Sequence, residues 1–325
     1  MKVAIVGCGL IGQKRAKTLT CATLVLCVDQ IKERADKLAA DFPGCIAATD
    51  WQDAVNNKEV EIVIVCTLHV SLAEIALAAV KAGKHVLVEK PGARRSDELA
   101  AVMAAAKDSG SLVRVGFNHR YHRAFRKARE LVDSGALGEL MFVRARYGHG
   151  GRLGYDKEWR AQPELSGGGE LIDQGVHLID LARWFLGDFS EVHGHAHTYY
   201  WDMPVDDNGF LMLKTPSKQM AFLHASCTEW KNTFSFELYG RNGKIDINGL
   251  GGSYGVERIS FYKMSAAMGP PETFIWEYPM ADDSWEFELA EFMDDVRQQR
   301  APSPGIQDAH AALKIVEEVY RMSNL

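Results

Sequence analysis

The chain carries no excess of positive charge. Its 37 lysines and arginines are outnumbered by 43 aspartates and glutamates, giving a net charge of −6. Nothing in that balance draws it to nucleic acid or to an acidic membrane surface. No apolar run is long enough to span a bilayer. The short apolar run after Lys2 is broken by glycines and lacks a cleavage pattern, so it reads as a strand and not as a secretory leader. The six cysteines (Cys8, Cys21, Cys27, Cys45, Cys66 and Cys227) show no metal-ligand spacing, and several sit in apolar runs where Cys acts as a small hydrophobe. No metal is expected, and the expected setting is a reducing cytoplasm. Internal repeats and low-complexity segments are absent. At 325 residues, 47% hydrophobic and 25% charged, the composition is that of a globular protein too long for one core. Two domains are expected, 1–120 and 121–325.

What is present begins at Val3. A β-branched run enters Gly7-Cys-Gly9-Leu-Ile-Gly12, three glycines spaced G-x-G-x-x-G, followed by helix-forming residues. That order suits a dinucleotide site. Gly7 allows the tight turn, Gly9 the approach of a pyrophosphate, and Gly12 close packing of helix on strand. Leu10 and Ile11 complete the loop, and the helix N-terminus turns free N–H groups toward the phosphates. Asp29 ends the second apolar run, where an acid accepts hydrogen bonds from an adenosine ribose and repels a 2′-phosphate. NAD is therefore expected. Lys32 and Arg34 lie near enough to leave NADP use open. Asp29 could equally cap the helix that begins near Lys32.

Strands are expected at 2–6, 23–28, 62–66, 85–88 and 112–117, with helices at 13–19, 31–41, 71–82 and 96–109 between them. Such alternation implies a doubly wound parallel sheet, with ligands at the carboxyl ends of its strands. Thr67, Leu68, His69, Glu89 and Lys90 fall at those ends. After about residue 120 strands follow one another instead, at 139–147, 191–199, 209–215, 219–229, 233–240, 244–248 and 258–262. Helices are expected at 124–134, 170–186, 284–299 and 306–323. The second part is thus an α+β domain with a large, mostly antiparallel open sheet.

Three pieces carry chemistry. Lys90-Pro91 at a strand end is either a lysine aimed at a ligand or a surface turn; the residue before proline stays extended. Asp173 and His177 lie four apart on one helix face, with Asp180 continuing the stripe. This is either a proton-transfer pair or a solvated helix face. Gly167-Gly168-Gly169 either lets the backbone lie against a flat ring or forms a flexible loop. Two weaker signals follow. His193, His195 and His197 alternate on one strand, better read as the polar face of a sheet than as metal ligands. Arg144, Arg146, His149 and Arg152 could hold a phosphate or carboxylate, or line a solvated sheet face.

The glycine loop, Glu89-Lys90-Pro91, the 116–121 segment Gly-Phe-Asn-His-Arg-Tyr, Trp159-Arg160, the glycine triplet and Asp173-x-Gly175-x-His177 occur in that order over essentially the whole chain. In this the sequence resembles the glucose-fructose oxidoreductase / inositol dehydrogenase / rhizopine-catabolism (Gfo/Idh/MocA) family. The resemblance implies a Rossmann domain, an NAD(P)-dependent oxidoreductase, and a secondary alcohol of a sugar, sugar nucleotide or cyclitol as substrate. It implies His177 as general acid/base, Asp173 as its orienting partner and Lys90 as the group that polarises the same oxygen. Asn118, Tyr121, Trp159 and Arg160 would line the cleft, with Asn118, Trp159 and Arg160 on the cofactor side and His149 and Arg152 toward substrate. A homodimer or homotetramer through the open sheet is also implied. Relatives often carry Thr-Pro followed by a histidine after the third main strand; here Leu68 replaces the proline and His69 comes early. Two other functions fit the same motifs, an NAD-assisted glycosidase and a non-enzymatic NAD sensor. Keeping Lys90, Asp173 and His177 together argues against the sensor.

Overall fold

A computed structural model describes residues 1–325. Its strands are β1 (Lys2–Val6), β2 (Thr23–Val28), β3 (Ile46–Ala48), β4 (Ile62–Val65), β5 (His85–Glu89), β6 (Val113–Gly116), β7 (Leu140–Gly148), β8 (Glu191–His197), β9 (Asn208–Lys214), β10 (Met220–Ser226), β11 (Thr233–Gly240), β12 (Gly243–Asn248), β13 (Glu257–Lys263) and β14 (Glu272–Tyr278). Its α-helices are α1 (Leu10–Lys17), α2 (Lys32–Ala40), α3 (Gln52–Asn56), α4 (His69–Lys81), α5 (Ser96–Ser109), α6 (Arg123–Asp133), α7 (Pro163–Ser166), α8 (Val176–Leu186), α9 (Ser284–Gln298) and α10 (Ile306–Ser323). By internal packing the chain divides into two units. One comprises residues 1–117, 164–167 and 285–313; the other comprises 118–163, 168–284 and 314–325.

The first unit is a parallel sheet in the order β3-β2-β1-β4-β5-β6. The order reverses between β1 and β4, the point at which such sheets take a ligand. Its central strands are unbroken apolar runs because both faces are covered. Val3, Ile5, Ile62, Ile64 and Leu87 are fully buried in one cluster with Leu289, Phe292 and Met293 of α9. A helix from near the end of the chain therefore completes this core. The expected helix starts at 13 and 71 move forward to Leu10 and His69, because the loops after β1 and β4 feed straight into the first helical turn. The short edge strand β3 and helix α3 were not expected. Three residues, none of them buried, give no apolar run to read.

The second unit is an eight-stranded sheet in the order β14-β13-β12-β11-β7-β10-β9-β8. It is antiparallel except for the β7–β10 pair. Alternation sorts its faces. Val143, Ala145, Leu223, Phe234 and Phe236 are buried, on sheet strands of which β7 and β10 carry α8, while Arg144, Arg146, Phe210, Met212 and Phe222 emerge on the open face. β14 was not expected, since its Phe274-Ile-Trp276 run does not alternate. The helix expected from 170 opens with a wide π-type turn, Leu171–Gly175, before α8. Gly175 closes that turn. A Cβ there would sit 2.8 Å from Leu171 Cδ1.

Candidate active site

The dinucleotide end is built from three strand termini. Gly7, at φ +95°, lies so close to the end of β4 that a Cβ would be 2.5 Å from the Cys66 carbonyl oxygen. At Gly12 a Cβ would be 1.9 Å from the Gly7 oxygen, so α1 can lie on the loop only with glycine there. Gly9 faces open space. No side chain caps α1 and no acid sits in its first turn, which leaves its N–H groups and positive end available to an anion. Leu10 is exposed and Ile11 half-buried beside it.

Asp29 is anchored at the end of β2. Its Oδ2 accepts from the Cys8 N–H at 2.8 Å and its Oδ1 from the Ile31 N–H at 2.9 Å. The carboxylate is thus tied to the glycine loop as well as to the approach to α2, and keeps lone pairs for a ribose diol. These residues fit NAD.

Other positions at the strand ends have different work. Glu89 is buried, and its Oε1 accepts from Arg15 Nε at 2.7 Å; Arg15 Nη1 donates to Glu288 Oε2 at 2.6 Å. Burial alone would lower the Arg15 guanidinium, but Glu288 and Glu89 together hold it above its ordinary range. The Glu89 carboxylate is thus engaged in the interior of the first unit. His69 is also buried, with Nδ1 2.8 Å from the Ser166 carbonyl oxygen. Its early position in the sequence ties residues 164–167 to α4. Thr67 Oγ1 donates to the Leu68 carbonyl at 3.3 Å, and Leu68, partly exposed, precedes α4. Lys90 is half-buried one residue past β5, and its bond to Pro91 is cis.

In the second unit a polar cluster surrounds the π-type turn. Asp173 is 5% exposed and His177 3% exposed. Asp173 Oδ2 accepts from Arg160 Nε at 2.9 Å, and the Arg160 guanidinium stacks 4.6 Å from the Trp159 ring. Asp173 holds the Arg160 guanidinium above its usual range. His177 stacks on His119, centroids 3.7 Å apart. Arg160 and Trp159 thus orient Asp173, and His119 fixes the plane of His177. The spacing of four showed neither, because both partners come from distant segments. Asp180, expected on the same polar stripe, is buried in a bidentate pair with Arg120.

Two residues were missed. Glu170, fully buried, faces His149 across 3.5 Å from its Oε2. Burial pushes the Glu170 carboxyl up against the pull of His149. Burial would lower His149, but Glu170 reverses it and holds the imidazole above its ordinary range. The Gly151 N–H donates to His149 Nδ1 at 3.0 Å, so the neutral ring carries its proton on Nε2, toward Glu170. The second missed residue is His119. It stands within the 116–121 motif, where no role of its own could be read from the sequence.

Several expected roles change. Tyr121 is buried, with the Arg126 guanidinium 5.1 Å from its ring. Asn118 is buried and donates from Nδ2 to Ser284 Oγ at 2.9 Å. The glycine triplet lies against protein rather than a flat ligand. A Cβ at Gly168 would meet the Tyr320 hydroxyl at 2.3 Å, and one at Gly169 the Asp206 carbonyl at 1.9 Å. Asp206 accepts from the Gly169 and Leu171 N–H groups and from the Tyr320 hydroxyl. Nor do the arginines form an anion site. Arg144 pairs with Glu237, Arg146 with Glu229, and Arg152 with Glu158. His193, His195 and His197 lie exposed on the sheet's edge strand.

Comparison with known proteins agrees with this geometry. Residues 1–117 match the family model described as the oxidoreductase family, NAD-binding Rossmann fold, and residues 125–246 match the GFO/IDH/MocA C-terminal domain. The chain belongs to the Gfo/Idh/MocA family. Among its relatives, levoglucosan dehydrogenase of Pseudarthrobacter phenanthrenivorans is 33% identical over 243 residues, 66% of this chain and 62% of that protein. Inositol 2-dehydrogenase 2 of Saccharopolyspora erythraea is 34% identical over 203 residues, 61% of this chain and 57% of that one. The matched stretches span about six-tenths of these relatives' length. A solved levoglucosan dehydrogenase in complex with NADH shares the fold at a TM-score of 0.89, covering 99% of this chain and 98% of that one at 24% identity. In this Gfo/Idh/MocA protein the first unit is an NAD-binding Rossmann domain. No helix is long and apolar enough to cross a membrane.

Proposed function

We propose that this chain is an NAD-dependent oxidoreductase that interconverts a secondary alcohol and a ketone on a neutral polyhydroxylated ring, a sugar or cyclitol. The observation that carries the reading is the buried imidazole of His177, stacked on His119 and four residues from an Asp173 held by Arg160, in a chain whose first unit is an NAD-binding Rossmann fold. When bound, NAD supplies the acceptor or donor of a hydride. The chain's own residues handle the proton and the charge.

In the oxidation direction an imidazole nitrogen of His177 accepts the hydroxyl proton. The imidazolium that forms is stabilised by the Asp173 carboxylate, which Arg160 orients. The Lys90 ammonium stabilises the alkoxide as it develops. In reduction the same groups return the proton. Asp29 selects NAD through the ribose diol. Because Arg144, Arg146, Arg152 and Arg160 each have a carboxylate partner, the expected substrate is uncharged rather than a sugar acid or nucleotide sugar. The names of two relatives, levoglucosan dehydrogenase and inositol 2-dehydrogenase 2, support a neutral polyol. Half-exposed Phe210, Met212 and Phe222 line a groove of about 600 Å³ on the open sheet face, which supports pairing of two copies there.

The test is a panel of inositols, aldoses, glycosides, sugar acids and nucleotide sugars with NAD and with NADP, followed by NADH absorbance. Turnover of neutral members with NAD is expected. Turnover confined to charged members, or to NADP, overturns the reading.

A further inference from the structure

Trp230 has a backbone its residue type avoids. Its φ of +58° is left-handed, a region where a bulky side chain is an outlier. Yet the residue is 64% exposed, so burial of the indole does not offset the strain. Strain kept without a packing gain points to a use for the side chain at the surface.

Its surroundings say what that use is. Tyr200, 61% exposed, meets the Trp230 ring at 83° with centroids 4.6 Å apart. The contacts then run inward without a break. Tyr200 meets Trp201 at 5.1 Å, Trp201 meets Tyr155 at 5.6 Å, and Tyr155 meets His149 at 5.5 Å. His149 faces Glu170, three residues before Asp173. Two glycines seat the loop that carries His149 on this ladder. A Cβ at Gly150 would be 3.0 Å from Trp230 Cα, and one at Gly151 would be 2.4 Å from the Trp201 ring. The exposed Tyr200–Trp230 pair is thus joined to the polar cluster through Trp201 and the buried Tyr155 ring, and locked in place beside it.

We propose that Tyr200 and Trp230 form a stacking subsite for a second ring of the substrate, the aglycone or second sugar of a glycoside; this rests on the polyol reading above. An aryl group or the C–H face of a pyranose is apolar, while the hydroxyl edge of a sugar is polar. Indole and phenol side chains offer matching apolar faces with a polar tip. A stable contact between two copies of the chain takes about 800 Å² per partner, far more than two rings provide.

The experiment measures binding rather than turnover. NADH-loaded protein is titrated by calorimetry with free hexoses and with their phenyl glycosides. Phenyl glycosides should bind about tenfold more tightly, the effect of one good aromatic contact. In Trp230→Gly, which removes the ring and relieves the strained backbone together, and in Tyr200→Ala, the preference should fall to within about twofold. Trp230→Phe should keep part of it. Equal affinity in the parent protein, or a preference that survives both variants, overturns the proposal. So does a change in the solution mass of Trp230→Gly, which would make the patch a contact between copies. An intact preference in a protein that turns over none of the panel supports the subsite and counts against the dehydrogenase reading instead.

Discussion

Each unit of the molecule hides charge, and the two do so differently. In the first, the Arg15 guanidinium joins Glu89 and Glu288, and Arg114 joins Asp295, all buried. In the second, Asp173, Glu170, His149, His119 and His177 share one region, with Arg160 as the fixed cation. Arginine does not deprotonate in proteins, so the cations of the first network keep their charge and tie its strands and helices together, even though burial pushes the Glu288 carboxyl up. Imidazoles change charge near neutral pH. In the proposed function it is this second network that takes up and releases the proton. Buried charge marks a reactive site only when one of its members can titrate at working pH.

The largest test of that contrast is His177→Ala. It should lower kcat by about 10²–10⁴-fold, the usual share of a general acid/base, while NADH still binds by fluorescence titration. Loss of NADH binding together with activity would instead make His177 structural. Next is Arg15→Met, which leaves Glu89 and Glu288 facing each other without a cation. The expected cost is about 3–5 kcal/mol of stability, read by urea unfolding, with kcat unchanged well below the transition. An altered kcat at full foldedness would erase the distinction between the networks. Asp29→Asn keeps the shape but removes the charge. NADH affinity should fall about 10–100-fold, as for a charge-assisted hydrogen bond, with a smaller loss for NADPH, measured by equilibrium dialysis.

The smallest effect is expected on the open sheet face. Burial would raise the Glu237 carboxyl, but Arg144 and Lys244 outweigh it and hold it down at about 2. The folded value lies below the unfolded one, so the stabilisation is complete above the ordinary value of 4.5 and is lost as pH falls toward 2. Glu237→Gln should cost about 0.2–1 kcal/mol at neutral pH and flatten the acid limb of a plot of Tm against pH. An unchanged limb would mean that the pair contributes nothing.

The first unit was legible because its signals are local. A glycine loop between an apolar strand and a helix, with an acid at the next strand end, lies within 29 residues. The parallel sheet followed from continuous Val/Ile/Leu runs. What could not be read depends on partners far away in the chain. Glu89 takes a hydrogen bond from Arg15, 74 positions away, which no local spacing shows. The glycine triplet looked like a bed for a flat ring, although Tyr320 and Asp206 are what require it. Asp173 was recognised as important, but its orienting partner Arg160 lies 13 residues away across two short helical turns. Spacing reports which residues share a face; it does not report what covers that face.

The pairing of Arg15 with Glu288 has a consequence for how the protein is made. The two residues are 273 positions apart. At ribosomal speeds of 5–20 residues per second, roughly 15–55 s separate their emergence. Throughout that interval the nascent N-terminal sheet lacks both the helix that caps its hydrophobic interior and the carboxylate that neutralises its cation. Final consolidation of this sheet must wait until the segment around Glu288 has been translated.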